Sequence, residues 1–200
     1  MTLLEAMNHP TGRSQPTTDK AQLIDFWQPT LVGQKVVIRP LLEPDFEALF
    51  KAASDPRIWE NHSATDRHER GPFEKFFKGA MECGGGLAIL NRDTEELIGS
   101  SRYYDWSEES GTVVIGYTFI TREWWGTGLN FEIKKLMLDH AFQRVSSVIF
   151  QVSRKNLLSQ KALLKLGAVY SHDEEVLVAG VTSSRMIFKM EREHWQEILR

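Results

Sequence analysis

Apolar and polar residues recur with two different periods along the chain, and the first elements follow from that pattern. Residues 35–41 (KVVIRPL) are rich in β-branched side chains and predict a strand. The next segment begins with Pro44, which suits a first helical turn, and places Phe46, Leu49 and Phe50 on one helical face. It predicts an amphipathic helix.

The middle of the chain predicts a second helix and then a run of hairpin-connected strands. Residues 72–83 (PFEKFFKGAMEC) have helical spacing and end at three successive glycines. Three apolar segments follow, each separated from the next by a polar turn typical of β-hairpins. These strand candidates are residues 87–90, 96–104 and 112–120.

The last part of the chain alternates between helical and strand patterns. A helix over about residues 128–143 has an apolar stripe of Leu129, Ile133, Leu136, Met137 and Ala141, with Glu132, Lys135, Asp139 and Gln143 facing water. The remaining candidates are a strand at 147–153, a helix at 156–166, a strand pair at 175–180 and 184–190, and a short helix at 193–200.

The order β-α-α-β-β-β-α-β-α-β-β predicts the fold class. A hairpin run followed by a β-α-β crossover indicates an α/β (α+β mixed) fold, with helices packed on a single mixed, mostly antiparallel sheet. We expect one domain over residues 29–200. Residues 1–28, rich in Thr, Pro, Ser and Asn, predict a loosely packed N-terminal extension.

Composition and charge argue against several function classes. With 24 basic and 27 acidic residues, the chain lacks the basic excess of a general nucleic-acid or membrane-surface binder. The single cysteine, Cys83, excludes an internal disulfide and a paired-cysteine metal site. No apolar run approaches the ~20 residues of a membrane helix, and no signal peptide is recognisable. The sequence therefore predicts a soluble cytoplasmic protein with neither nucleic acid nor membrane as a partner.

The turn at residues 122–130 (REWWGTGLN) is the first candidate for chemistry. It lies between a predicted strand and a predicted helix, so unpaired amides and the positive end of the helix dipole meet at two glycines. That geometry suits a phosphate group, although a tight turn that needs only backbone freedom explains the glycines as well. A Walker A loop and a dinucleotide fingerprint are both excluded, because their further motif residues are absent.

Residues 114–142, followed by 148–168 (VIFQVSRKNLLSQKALLKLGA), resemble the GNAT superfamily of acyl-CoA N-acyltransferases. Within it, the likeness is to the RimJ/RimL type, the branch that acetylates ribosomal-protein N-termini. The resemblance extends from about Leu31 to the C-terminus and implies a GNAT fold, with helices on both faces of the sheet.

In this family a Gln/Arg-x-x-Gly-x-Gly/Ala turn binds the pyrophosphate of coenzyme A through backbone amides. The resemblance assigns that cradle to Trp125, Gly126, Thr127, Gly128, Leu129 and Asn130. Trp125 replaces the family's Gln or Arg, and Asn130 replaces its small residue. Because backbone amides do the binding, neither departure removes the predicted cradle.

Asn156 and Ser159 form the second motif. Asn156 follows a predicted strand and can cap the next helix, and Ser159 lies one turn further on. For most Asn-x-x-Ser pairs, helix capping with a neutral helical serine is the full explanation. The resemblance implies in addition that both point into the gap between strands 112–120 and 147–153, where the pantetheine arm lies. Leu163 stands where many members carry a tyrosine that protonates the thiolate, which leaves Ser159 as the predicted thiol-contacting or proton-donating hydroxyl.

The implied reaction is direct transfer of an acetyl group from acetyl-CoA to an amine, which needs a base and an N–H group that stabilises the oxyanion. By resemblance, the strand edge at Phe119 and Ile120 supplies that N–H group and pairs with pantetheine like an added strand. The alternative for these residues is an ordinary half-buried strand.

No acidic residue lies on strand 112–120, where some relatives carry the base. Tyr103 is the predicted catalytic residue in its place, with Asp105 and Glu132 as further candidates. Asp105 is more typical of a solvated turn, and Glu132 of a partner for Lys135.

His62 and His68 lie between the first two helices, where relatives place substrate-contacting loops, whereas His140 is more typical of a structural position. The histidines lack the spacing of a zinc motif, so no metal site is predicted. For Trp124 the pattern favours packing on the sheet. For Trp125 packing and a role in walling the coenzyme site are equally supported.

We therefore expect an N-acetyltransferase with acetyl-CoA as co-substrate and a primary amine as acceptor, either a peptide N-terminus or a small amine. A non-catalytic acyl-CoA-binding module is the alternative, because the strand acid and the tyrosine are missing. An unrelated phosphate-binding protein is a third hypothesis. A homodimer is among the assemblies that the sequence leaves open.

Overall fold

The structure, a computed structural model, describes residues 25–178 and 181–200. In those residues eight strands form one sheet: β1 (Leu31–Val32), β2 (Val36–Pro40), β3 (Gly86–Asn91), β4 (Leu97–Ser107), β5 (Thr112–Ile120), β6 (Ser147–Ser153), β7 (Val169–Val178) and β8 (Val181–Glu191). Five α-helices accompany them there: α1 (Phe46–Ala53), α2 (Arg70–Glu82), α3 (Leu129–Ala141), α4 (Leu157–Leu166) and α5 (Arg192–Ile198). None of these described helices is long and apolar enough to cross a membrane.

One parallel junction interrupts an otherwise antiparallel sheet. The strands lie in the order β1-β2-β3-β4-β5-β6-β8-β7. Among the described strands only β5 and β6 pair in parallel, because α3 carries the chain back between them. In the described part of the chain their pairing covers only Thr112–Val114 against Ser147–Ile149, so the two strands separate beyond that point.

Helices cover both faces of the sheet, and side-chain alternation along the strands divides the core between them. In β3, Leu87 and Ile89 point to one face and Ala88 to the other. We call the first the α3 face, because α3, α4 and α5 pack there through residues such as Ile133. The second is the α2 face, where α1 and α2 pack through residues such as Phe73.

The predicted fold class and order of elements are confirmed. Strands 112–120 and 147–153 have the predicted bounds. Two differences are the short β1, which was not predicted, and β7, which begins at Val169 rather than at residue 175. The early part of β7 is polar because it forms the outer edge of the sheet, where exposed charge is tolerated. Residues 179 and 180 of that predicted strand lie outside the described residues.

Helix α3 carries the predicted apolar stripe, with Leu136 only partly buried and with two additions, the buried Lys134 and Leu138. The predicted pairing of Glu132 with Lys135 is wrong. Lys135 donates instead to Asp139 at 2.6 Å, and Glu132 accepts a hydrogen bond from the backbone amide of Lys35 at 2.9 Å. Glu132 therefore ties the turn before β2 to the helix.

The start of the described chain packs against the domain. The Trp27 side chain is buried in the core of the α3 face. The Phe26 ring stacks on His140, whose Nε2 lies 2.7 Å from the Phe26 carbonyl oxygen, in keeping with the structural role predicted for His140. The predicted extension over residues 1–28 thus ends in packed residues, and its first 24 residues lie outside the described part of the chain.

Candidate functional site

A cavity of about 600 Å³ opens where β5 and β6 separate. A β-bulge in β5 marks the position, since the pairing with β4 shifts register there and Tyr117 adopts a positive φ of 53°. Such a backbone angle is uncommon outside glycine and frequent at functional sites. The cavity is lined from β5 by Gly116, Tyr117 and Thr118, from β6 by residues 150–153, and from the helices by Asn130, Lys134, Asn156, Ser159 and Leu163.

The glycine turn before α3 has the conformation that an anion site requires. Gly126 and Gly128 have φ angles of 76° and 86°, and Gly128 is the N-cap of α3. A Cβ atom at either position would meet no protein atom within 4 Å. The glycines are therefore needed for the backbone conformation, and the space in front of the turn is open to a ligand.

Backbone donors of the turn point into that open space. The amides of Gly126, Gly128 and Asn130 donate to no other residue that the structure describes, and the amide of Leu129 has only a 3.4 Å contact with Thr127 Oγ1. The helix dipole adds partial positive charge at the same place. Because Asn130 also lines the cavity, the turn and the cavity are continuous.

Trp124 and Trp125 have different roles beside this turn. Trp124 is partly buried against the core of the α3 face, as predicted. Trp125 is 37% exposed, and its Nε1 donates to the carbonyl oxygen of Ile120 at 3.2 Å. Its indole therefore connects the turn to the end of β5.

The second motif reaches the same cavity from α4. Asn156 is buried and caps the helix, its Oδ1 accepting from the amide of Ser159 at 3.0 Å. Both residues line the cavity together with Leu163. The structure thus brings Asn130, Asn156 and Ser159 to one site from two helix N-termini.

Phe119 and Ile120, predicted as one backbone donor pair, are separated by strand alternation. The amide of Thr121 donates to Ile98 of β4 at 2.8 Å, and Phe119, two residues earlier, lies opposite Ser100 of the same strand. The amide of Phe119 therefore also faces β4, whereas that of Ile120 faces the gap. Neither residue is among those that line the cavity, whose lining along β5 ends at Thr118, two residues before Ile120.

Tyr103 does not belong to the site. Its side chain is buried in the α3 face, and its hydroxyl donates to the carbonyl oxygen of Met137 at 2.7 Å. Burial, and to a lesser extent the charge of Asp139, raises the pKa of Tyr103 well above its ordinary value. The expected role as a base is corrected accordingly. The next residue, Tyr104, lines the cavity instead and donates to Gln151 Oε1 at 3.1 Å.

Of the other candidate bases, only His62 lines the cavity. Asp105 is exposed with a φ of 49°, Glu132 is bonded to the Lys35 amide, and His68 contacts the carbonyl of Thr65. None of the three lines the cavity. His62 does line it, and there burial, followed by the charge of Arg67, lowers the pKa of the imidazole to about 4.

Lys134 is the functional candidate that the sequence did not reveal. It is 7% exposed, lines the cavity, and donates from Nζ to Thr118 Oγ1 at 2.5 Å. No described carboxylate forms an ion pair with it, and burial lowers its pKa to about 7. The spacing in the sequence could have identified it, because Lys134 follows Asn130 by one helical turn and thus shares its face of α3.

The described residues contain no group of three or more His, Cys, Asp or Glu side chains that could hold a metal ion. What they offer around the cavity is a set of backbone donors, hydroxyls and cationic side chains. Such a set can bind an anionic ligand and move a proton.

Comparison with known proteins is consistent with that chemistry. Residues 35–169 match the family model described as an acetyltransferase (GNAT) domain. The chain is also 24% identical over 149 residues to the uncharacterized N-acetyltransferase YoaA of Bacillus subtilis (strain 168), a match over 70% of this chain and 82% of that protein.

Two solved structures share the fold. A GCN5-related N-acetyltransferase from Brucella melitensis matches with a TM-score of 0.75 and 16% identity, over 84% of this chain and 81% of that one. RimJ from Mycobacterium smegmatis, solved in complex with CoA-disulfide, matches with a TM-score of 0.67 and 17% identity, over 84% of this chain and 90% of that one.

Proposed function

The chain belongs to the GNAT acetyltransferase family, and on that premise we propose that it transfers the acetyl group of acetyl-CoA directly to a primary amine. The observation that carries the proposal is the continuity of the glycine turn with the gap between β5 and β6. One side of this continuous site offers free amides at a helix N-terminus, and the other is a cavity beside an open strand edge.

The chain's own residues fit coenzyme A. The amides of Gly126, Gly128 and Asn130 would hold its pyrophosphate, because donors at a helix N-terminus favour negative charge and the glycines leave room for close approach. The free edge of β5 and the polar Asn156 would hold the pantetheine arm in the gap. The mycobacterial RimJ structure, which contains a CoA-disulfide, supports coenzyme A as the ligand.

Bound acetyl-CoA would supply the acetyl group as an activated thioester. The amide of Ile120, which faces the gap, is the proposed donor to the thioester oxygen as negative charge develops there. Ser159 is the proposed contact of the sulfur atom. Leu163 cannot donate a proton from its position in the cavity, so we assign proton donation to Lys134 and the hydrogen bond to the sulfur to Ser159.

Lys134 is the proposed proton acceptor. An amine with a pKa of about 7 is partly neutral at neutral pH, and its lone pair can then take a proton while an N–H bond to Thr118 is kept. The neutral Nζ accepts a proton from the acceptor's ammonium group. The freed amine attacks the thioester carbon, the C–N bond forms and the C–S bond breaks. The leaving thiolate takes the proton held on Lys134 while the Ser159 hydroxyl donates a hydrogen bond to the sulfur, and the new amide nitrogen loses its remaining excess proton to solvent water.

Release of free thiol from acetyl-CoA tests this function directly. Purified protein is incubated with acetyl-CoA and a panel of peptide N-termini, amino acids, polyamines and aminoglycosides, and products are identified by mass. We expect amine-dependent thiol release with at least one acceptor class. Tight coenzyme A binding without release across the panel would instead indicate a non-catalytic acyl-CoA-binding module. Nucleotide binding that coenzyme A cannot displace would indicate an unrelated phosphate-binding protein.

A further inference from the structure

Cationic side chains surround the acceptor side of the cavity, and no described aspartate or glutamate lines it. Its charged lining residues are Arg67, Lys134 and Arg185, and His62 lies beside them. Arg185 is neutralised by Glu174, to which it donates from Nε at 2.7 Å. Neither Arg67 nor Lys134 forms a hydrogen-bonded ion pair with a described carboxylate, although Asp66, outside the cavity lining, lies close enough for its charge to act on Arg67.

Arg67 and Arg102 form an arginine pair held by aromatic rings rather than by acids. The Arg67 guanidinium carbon lies 4.9 Å from the centre of the Phe76 ring and 5.6 Å from that of Tyr117. Arg102 lies 4.0 Å from the centre of the Tyr117 ring, and its Nη2 donates to the carbonyl oxygen of Phe76 at 3.1 Å. Stacking on aromatic faces leaves the guanidinium edges available to a planar anion.

The hydrogen bonds of this arginine pair are incomplete. Arg102 is 6% exposed, and its Nε is buried without a partner among the described residues. Arg67 donates no hydrogen bond to any residue that the structure describes. Both guanidinium groups stay charged in proteins, so the burial of Arg102 and the partial burial of Arg67 are costly unless a ligand supplies the missing anion.

The arginine pair lies on the opposite side of the gap from the proposed phosphate site, where an acceptor would bind. Arg67 and Arg102 pack against Phe76 and other aromatic residues of the α2 face. The glycine turn lies at the N-terminus of α3, which covers the opposite face. The phosphates would be held at that turn, so the arginine pair lies across the gap from them.

We infer that the acceptor is an amine that also carries a side-chain carboxylate, and that Arg67 binds this carboxylate, with Arg102 adding positive charge from the far side of the Tyr117 ring. The inference rests on the proposed function and names its substrate class. Two sources offer this chemistry, a free acidic amino acid or a peptide with acidic residues next to its N-terminus. Polyamines and aminoglycosides meet like charges in this cavity and are disfavoured.

Matched acceptors test the inference. The kcat/KM of the wild-type protein is measured for glutamate against glutamine, which differ only in the side-chain carboxylate, and for the C-terminally amidated peptides Ser-Glu-Glu, Ser-Gln-Gln and Ser-Lys-Lys. We expect the acidic member of at least one set to be preferred by about tenfold or more, as one charge-assisted interaction allows. The amino-acid and peptide arms identify the source of the carboxylate.

The Arg67→Gln variant assigns the preference to a residue. It should raise KM for the preferred acidic acceptor by about tenfold with little change in KM for acetyl-CoA. Arg154→Gln is the matched control, because Arg154 is an exposed arginine on the same domain that pairs with Asp173 and does not line the cavity. Melting temperatures of both variants check that folding is retained.

Each other outcome has a distinct meaning. A wild-type preference for neutral or cationic acceptors would overturn the inference and leave the acetyltransferase function standing. A rise in KM for acetyl-CoA in Arg67→Gln would assign the arginine to the coenzyme and overturn it as well. Absence of thiol release with every acceptor would refute the proposed function itself.

Discussion

The two ends of the cavity are built to bind in different ways. At the glycine turn the proposed coenzyme-binding groups are backbone amides, and Gly126 and Gly128 contribute by having no side chain that would fill the space in front of them. On the α2 face the proposed binding group is the Arg67 side chain, held by aromatic rings, with Arg102 stacked on the same Tyr117 ring. A backbone site tolerates substitutions that keep the fold of the turn, whereas a side-chain site changes its ligand with each residue. This difference suits a protein that keeps its coenzyme and adapts its acceptor.

The largest expected effect lies between these two ends, at Lys134. Lys134→Met should reduce kcat/KM at neutral pH by about 100-fold or more, which is the usual contribution of a general base. Lys134→Arg should lose as much, because a guanidinium keeps the charge but does not accept a proton at this pH. The measurement is initial-rate kinetics with the preferred acceptor.

The pH dependence separates proton transfer from charge at that position. Because the pKa of Lys134 is lowered to about 7, wild-type kcat/KM should rise with pH as the group loses its proton near pH 7. Both variants should lack this rise. Full activity in Lys134→Arg would show that only the charge matters and would remove Lys134 as the base.

The Lys134→Met substitution should stabilise the folded protein although it lowers activity. In the unfolded chain Lys134 keeps its proton to its ordinary pKa of 10.5, while in the folded protein the proton leaves near pH 7. The burial cost is therefore fully present below pH 7 and disappears as pH rises to about 10.5. Lys134→Met should raise the free energy of unfolding at pH 7 by up to about 5 kcal/mol, at ~1.4 kcal/mol for each unit by which the pKa is lowered. Urea unfolding at pH 7 and pH 10.5 checks it, and a gain that persists at the higher pH would contradict this account.

A glycine substitution tests the backbone end. Gly128→Val should weaken coenzyme A binding by about tenfold or more, because the side chain occupies the space in front of the amides. Gly84→Val is the matched control, since Gly84 also has a positive φ, of 68°, but lies after α2 and away from the turn. Calorimetric titration measures the affinity, and melting temperatures compare the backbone strain. Equal coenzyme affinity in the two variants would leave the turn as a structural feature only.

The smallest effect is expected at Ser159. Ser159→Ala should lower kcat by about fivefold, the value of one ordinary hydrogen bond, with little change in melting temperature. The Asn156 cap is kept in this variant because it uses the Ser159 amide rather than the hydroxyl. An unchanged kcat would remove the hydroxyl from the reaction.

The backbone end of the site could be predicted from sequence, and the reason is physical. A glycine turn and its helix are local, so the spacing of Gly126, Gly128 and the apolar stripe of α3 contains most of the information. The same holds for Asn156, whose cap involves a residue three positions away. The order of strands and helices followed from periodicity for the same reason.

The side-chain end could not be predicted, because it depends on register and on distant contacts. Strict alternation from Ile98, on the α3 face, would place Tyr103 on the α2 face. Leu97 lies opposite Leu90 of β3 and Gly99 opposite Ile89, so Ile98 is an extra residue in β4. This bulge reverses the alternation, and Tyr103 therefore enters the core while Tyr104 lines the cavity. Arg67 and Arg102 come together only after α2 and the sheet have packed.

The short pairing of β5 with β6 has a kinetic consequence. Because these strands are joined only at Thr112–Val114 in the described chain, the opening between them is reached from both faces of the sheet. Donor and acceptor could then enter by separate routes and occupy the protein together, without a covalent acyl-enzyme stage. Double-reciprocal plots of initial rate against each substrate should accordingly intersect rather than run parallel, and either substrate should be able to bind first.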